Sequence, residues 1–575
     1  MNANQPKPKK VLTKEQKAAQ RREKSRDRAF IRAHRRIFER AGFTRLQPVD
    51  GVHFTYQGIK SELDDIFVFE NVIVIAEYTR SAAGGLGSHA KGKVGIHNKI
   101  TENRTDFLGF FKSQSPGVSD WFGSTPYTKK QIIIRQVYGS IDALEDHHQA
   151  LFNGVTFMSR SERDYFAALT KSIKCSSRFE LFEYLKIDPS AVGESGNVLS
   201  NTQGDYYQSI ILPEEQSHFP PGFRVVSFYV DPDAILRRCY VLRRNGWRDG
   251  LGLYQRLIIP NKISSIRSHL KEKKRVFANN VVITLPQATK FSTNDGAALD
   301  YSVVSKPTPA ILEIPKKANS IGIIDGQHRI FSYYQDNQPD VDIDKFRVQQ
   351  NLLATGIIYP VGMDEREREK FEAGLFLEIN STQAGANSDI IQAIWVLLDP
   401  FRPVSVARVI VNRLADTTPL KGHLARTSLD AGKIRTASIV AYGLQPLTKR
   451  SGTDSLFHVW DNADAKKRFI KGIATENDLS AYINFAVGLL GNYLDAIRVV
   501  VGNTKWRIAD KDGDGILSVT TVNGFIILLR KLIEDGKVDS DKTMPKLDKL
   551  GAVQFKTFKS SQYADLAAHM LKLIS

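Results

Sequence analysis

Apolar positions recur along this chain in short runs separated by polar turns, and their spacing sets the elements. Phe30, Ile31, Ile37, Phe38 and Ala41 make a stripe of helical period that stops at Gly42. Three extended segments follow at 54–56, 63–69 and 72–78, and Glu70-Asn71 between the last two fits a tight hairpin. Residues 98–112 and 141–152 read as helices, with a short strand at 132–137 between them. The stretch 82–95 is crowded with Gly, Ser and Ala and reads as a loop. Residues 185–220 mix Gly, Ser, Asn and a Pro-Pro pair and read as a linker or insertion. Strands are expected again at 225–230, 281–285, 311–314, 321–324 and 352–359, with helices at 263–270 and 364–376 among them. From 389 onward the pattern is helical: 389–398, 404–414, 438–444, 479–500, 520–532 and 563–573. Short strands alternating with helices predict an α/β (α+β) multidomain chain with a helical C-terminal region.

Composition narrows the class. The 575 residues allow about two to four domains, and 42% hydrophobic with 25% charged residues is ordinary for a globular protein. The divisions suggested are a basic tail 1–27, an α/β domain 28–184, the linker 185–220, a second α/β domain 221–400 and the helical region 401–575. Cys175 and Cys239 lack metal-like spacing, which fits a reducing, cytoplasmic setting. No apolar run of membrane-spanning length is evident, so no membrane partner is expected. The net charge of +18 favours a polyanion, above all DNA. Part of that charge is local: thirteen Lys or Arg lie between Lys7 and Arg36, against Glu15, Glu23 and Asp27. The tail reads as disordered, or as a helix formed on binding; it is either a solubilising segment or a contact to phosphates.

The stretch Ile321 to Gln335 concentrates candidate chemistry. An apolar strand, 321–324, turns through Asp325-Gly326 into a helix carrying Gln327, His328 and Arg329. A strand that enters a helix through glycine turns backbone N–H groups toward one spot, which suits a phosphate. Arg329 can fork onto that phosphate, His328 can bond it or a water, and Asp325 can hold a metal or orient a neighbour. An ordinary strand-to-helix turn with polar surface residues is the alternative.

The string Asp325-Gly-Gln-His-Arg329 resembles the DGQHR-domain family, which includes DndB-type proteins of DNA phosphorothioation islands and relatives in 7-deazaguanine DNA-modification systems. The box is also similar to the phosphate-binding box of the ParB/sulfiredoxin superfamily. Tyr254-Gln-Arg256 and Phe376-Leu-Glu-Ile-Asn380-Ser-Thr-Gln383 extend the match, which covers roughly residues 225–400. The resemblance implies ATP with Mg²⁺ as cofactors, Asp325, His328 and Arg329 as catalytic groups, and Gly326, Gln327, Arg256, Asn380 and Gln383 around the nucleotide. It also implies a DNA-modifying enzyme as a partner and leaves an oligomer open.

A second constellation lies on the hairpin. Antiparallel pairing of 63–69 with 72–78 brings Asp64 near Glu77, and two such carboxylates can share a divalent metal. Helix, strand, strand with Asp and strand with Glu resembles the PD-(D/E)XK nuclease fold. Thr79 stands where that family has its lysine, and Lys91, Lys93 or Lys99 are candidates to replace it. An active nuclease, an inactive nuclease-like fold used for DNA binding, and a plain hairpin with wet carboxylates all remain open. Lys91, Lys93, Lys273, Lys274 and Arg275 are candidate DNA contacts.

Two further patterns are set aside. His147 and His148 are adjacent and should point to different helix faces, so a shared metal is not expected. Asp510-Lys-Asp512-Gly-Asp514 copies the front of a calcium loop, but Thr521 stands where the bidentate Glu belongs. Three functions follow: a DNA-binding, ATP-hydrolysing component of a DNA-modification or phage-defence system; a non-enzymatic DndB-like DNA-binding regulator; and a metal-dependent restriction nuclease acting through the N-terminal domain.

Overall fold

The Ile- and Val-rich segments around Asn71 form the middle of a five-stranded sheet. Its order is Thr44–Arg45, Asp65–Phe69, Val72–Thr79, Ile133–Ser140, Val155–Met158. The first three strands run antiparallel, and the last two lie parallel to Val72–Thr79. Period-two alternation separates the faces. Ile66, Val68, Ile73 and Ile75 pack with Ile96, Ile100, Phe107 and Phe111 on one side. On the other, Phe67 stacks on Phe38 of the helix Lys14–Arg40, ring centroids 4.6 Å apart. With both faces covered, every residue of Val72–Thr79 is buried.

The computed structural model describes residues 14–47, 52–81, 83–193, 204–243, 247, 255, 257–381, 388–417, 419–425, 430, 432–509, 513–538 and 547–575. Several sequence expectations change against it. The basic tail is helical from Lys14, in one piece with the apolar stripe that anchors it. The glycine-rich stretch is not a loop but the helix Ala83–Glu102. Two of its glycines serve close packing: a Cβ on Gly87 would fall 2.3 Å from His148 Cε1, and one on Gly95 would fall 3.2 Å from Ile59. Of 141–152, Asp146–Gln149 is helical.

A second, eight-stranded sheet has the order Cys239–Tyr240, Ile321–Asp325, Val281–Leu285, Leu352–Ile358, Arg224–Val230, Gly204–Leu212, Thr308–Pro315, Lys290–Ser292. The assignment of 185–220 to a linker is therefore corrected. Gly204–Leu212 is an interior strand, hydrogen-bonded to Thr308–Pro315 on one side and Arg224–Val230 on the other. Polar Asp205, Tyr207 and Ser209 stand on its covered face while Tyr206, Gln208 and Ile210 are exposed, so the usual apolar-in, polar-out alternation was missing.

By contacts the chain forms two units, Met1–Val241 with Ile258–Gly362, and Leu242–Leu257 with Met363–Ser575. Both sheets belong to the first. The second is helical. Its longest described helix, Glu476–Val501, is long and apolar enough to cross a membrane, a length the sequence reading overlooked. Its Tyr482, Leu489, Leu490, Tyr493 and Ile497 are buried in this unit's hydrophobic core beside Phe525 and Leu529.

Candidate functional site

The hairpin carries its acidic residues to one end of the first sheet. Asp65 pairs in register with Ala76, so Asp64 and Glu77 lie one step further along. The two adjacent aspartates have different roles. Asp65 is fully buried and held by Arg35 at 2.7 Å and by Arg45, an arrangement that closes the fold. Asp64 Oδ2 accepts the Tyr78 backbone N–H at 2.7 Å. From the neighbouring helix, Lys93 Nζ reaches Glu77 Oε1 at 2.8 Å and the Glu62 carbonyl at 3.3 Å. Of the three candidate lysines it is Lys93 that meets the carboxylates; Lys91 is exposed, and Lys99 pairs with Glu102 at 3.3 Å.

Glu77 is the electrostatic centre of this cluster. Its side chain is 4% exposed, and its Oε2 is buried with no hydrogen-bond partner among the described residues. Burial, and next the Asp64 carboxylate, push its pKa up to about 8, outweighing the pull of Lys93. Glu77 pairs across the parallel strands with Tyr138, whose hydroxyl meets His89 Nδ1 at 2.6 Å. Burial, then Glu77 and Asp64, raise the Tyr138 phenol; burial, then Lys93, lower the His89 imidazole. A buried carboxylate with an unpartnered oxygen beside a second carboxylate offers the oxygen ligands that fit Mg²⁺ or Mn²⁺, with Lys93 standing next to them as a cation and not as a ligand.

The Asp325–Arg329 box forms the strand, turn and short helix expected of it: Ile321–Asp325, Gly326 at φ +95°, then Gln327–Phe331. A Cβ on Gly326 would fall 2.7 Å from Val281 Cγ1. The side chains turn inward, contrary to a free phosphate fork. Arg329 Nη2 binds Asp325 Oδ2 at 2.7 Å, and its Nη1 donates to the Asn280 carbonyl at 2.7 Å. His328 is buried, and its Nε2 accepts the Ile259 backbone N–H at 3.3 Å. Gln327 is buried as well. Arg256 and Gln383 lie outside the described residues. Asn380 ends the helix Glu365–Ser381 in the second unit, its amide donating to the Phe376 carbonyl at 2.8 Å. Of the basic cluster, Lys273 pairs with Glu272 at 2.6 Å, Lys274 caps the helix in a left-handed conformation at φ +52°, and Arg275 is exposed.

The chain matches no family model and no curated protein. It is similar to a solved structure of a Pnob8-like ParB-N domain, at 13% identity and a TM-score of 0.21, over 62% of this chain and 100% of that one. An overlap that loose carries no argument.

One other expectation changes. His147 and His148 do come together, with ring centroids 3.8 Å apart; together with Glu145 they offer three ligand atoms within 4.8 Å of one another. The short helix Asp146–Gln149 is one turn only, so its adjacent side chains are not spread by a helical face. In the calcium-like segment Asp510 and Asp512 lie outside the described residues, and Asp514 pairs with Arg507. Tyr138 was missed in the sequence, since nothing in Ile-Ile-Arg-Gln-Val-Tyr distinguishes a core tyrosine from one beside a carboxylate.

Proposed function

We propose that this protein is a DNA-binding component of a DNA-modification or phage-defence system, and that its N-terminal α/β region carries a metal-dependent nuclease centre. The observation behind this reading is the buried, unpartnered Glu77 Oε2 between Asp64 and Lys93. Glu77 and Asp64 would hold the metal, which when bound supplies a polarised phosphoryl oxygen and an acidified water. Lys93 orients the attacking water and offsets charge developing on the phosphate, the role that Thr79 cannot fill. The exposed Arg21, Arg22, Lys24, Arg26 and Arg28 on the first helix supply a contact for DNA phosphates.

Plasmid nicking in Mg²⁺ or Mn²⁺ tests this. Glu77→Gln and Lys93→Met should each reduce nicking by about a hundredfold or more, whereas Arg329→Ala should leave it intact. Nicking that persists in Glu77→Gln removes the nuclease reading.

The strand, left-handed glycine and helix at Asp325–Arg329 favour a second reading, nucleotide hydrolysis at the box as the DGQHR resemblance implies. Arg329 would then have to exchange Asp325 for a phosphate. Phosphate release from ATP, abolished in Arg329→Ala, is its expected signature. DNA binding with neither activity would leave a DndB-like regulator.

A further inference from the structure

A cavity of about 500 Å³ opens within the first unit, away from the carboxylate cluster. The helix Arg178–Tyr184 forms one side, and Asp233, Leu236 and Arg237 of the helix Pro232–Arg238 another. Its apolar wall is aromatic: Phe182 packs against Phe69 at 6.2 Å and Phe179 at 6.4 Å between ring centroids. Over that wall Arg178 places its guanidinium 3.7 Å from the Phe69 ring centre. No carboxylate lies within ion-pair distance of Arg178 among the described residues, and its Nε is buried without a hydrogen-bond partner. Glu70, the nearby acid, is engaged by the Tyr127 hydroxyl. Burial drags the Arg178 pKa down, against a smaller upward pull from the Cys175 side chain and Glu70. A second cation, Arg237, sits at the rim, 46% exposed and 2.8 Å from Asp233.

A half-buried guanidinium stacked on an aromatic face, its Nε unpartnered and no carboxylate within ion-pair distance among the described residues, is a ready anchor for an anionic ligand. We propose that this cavity binds a nucleotide. The base stacks on Phe179 and Phe182, and the phosphate is met by Arg178, which already covers the Phe69 ring, and by Arg237. The volume suits such a ligand, since small-molecule sites span roughly 300–1,000 Å³. Gln335, exposed at the lining, offers an amide to the base edge. Its backbone is fixed to the opposite side: Cys175 N–H donates to the Gln335 carbonyl at 3.0 Å, and Gln335 N–H to Ser176 Oγ at 3.0 Å. The occupant therefore touches the segment just past the Asp325–Arg329 box. This site is separate from both readings above. Its nucleotide is either free in solution or the phosphorylated end of a DNA strand.

Calorimetry on the full chain separates the cases, with the four nucleoside 5′-monophosphates, adenosine, inorganic phosphate and a 5′-phosphorylated tetradeoxynucleotide as probes. At least one monophosphate or the tetranucleotide should bind; the tetranucleotide binding more tightly identifies a strand end. Adenosine and phosphate alone should bind at least tenfold more weakly. Arg178→Met and the rim variant Arg237→Glu should each weaken binding tenfold or more, and Arg329→Ala should not change it. Arg237 is half-exposed, so its variant should keep the native melting profile. No binding by any of these probes, affinity unchanged in Arg237→Glu, adenosine binding as well as the nucleotide, or binding lost only in Arg329→Ala would overturn the proposal.

Discussion

Glu77 shows how one side chain can report on a site. With its pKa raised to about 8, the folded chain holds a proton here that an unfolded Glu releases near 4.5. Between those values the native state binds more protons than the unfolded one, so the Glu77 contribution to stability falls as pH rises from about 4.5 to about 8. A divalent cation reverses the sign locally, because it favours the ionised carboxylate. Melting temperature followed with and without Mn²⁺ should therefore show a metal-induced rise that grows from pH 5 to pH 8. Glu77→Gln should flatten both curves. Asp64 and Glu77 were legible in the sequence because a two-residue hairpin turn fixes which residues face each other. Lys93 was legible only as one of three, since a helix read as loop gives no register to choose by. Arg178 carried no signal, because a stacked cation looks in sequence like any other surface arginine.

At the scale of elements, the box turn makes the sharpest prediction. Gly326 sits at φ +95° with Val281 against the position of a Cβ. Gly326→Ala should cost about 1–3 kcal/mol of stability, read as a lowered denaturant midpoint, through backbone strain and the clash together. If the turn only links strand to helix, DNA binding and nicking of the surviving folded fraction will match wild type. Elsewhere glycine has another meaning that the sequence does not distinguish. In Ala83–Glu102 glycines lie inside a helix to admit His148 and Ile59, and reading them as chain breakers misplaced the element. Gly204–Leu212 was lost for another reason. Its buried and exposed positions alternate, and the polar set matched linker composition while the pairing on both sides stayed invisible. The long helices beyond 400 were easy to see, because a 3.6-residue apolar period over many turns admits little else.

For the whole molecule, charge and connectivity matter most. The net +18 is partly concentrated on an exposed helical arm whose Arg21, Arg22, Lys24 and Arg26 project before the anchoring Phe30. Deleting residues 1–26 should leave the melting temperature unchanged while weakening DNA binding. The slope of log affinity against log salt should shrink by roughly 0.9 for each phosphate contact removed. An unchanged slope would make the arm a solubilising segment. The eight-stranded sheet has a different kind of consequence. Its interior strand Gly204–Leu212 takes Thr308–Pro315 as a neighbour, and Arg224–Val230 takes Leu352–Ile358. A ribosome must deliver some hundred and fifty residues after the first of these strands before the last can dock, whereas every strand of the five-stranded sheet has emerged by Met158. The nascent chain thus carries an unfinished hairpin with both edges open for several seconds at ordinary translation rates of roughly 5–20 residues per second, and chaperone demand during synthesis should peak in that window.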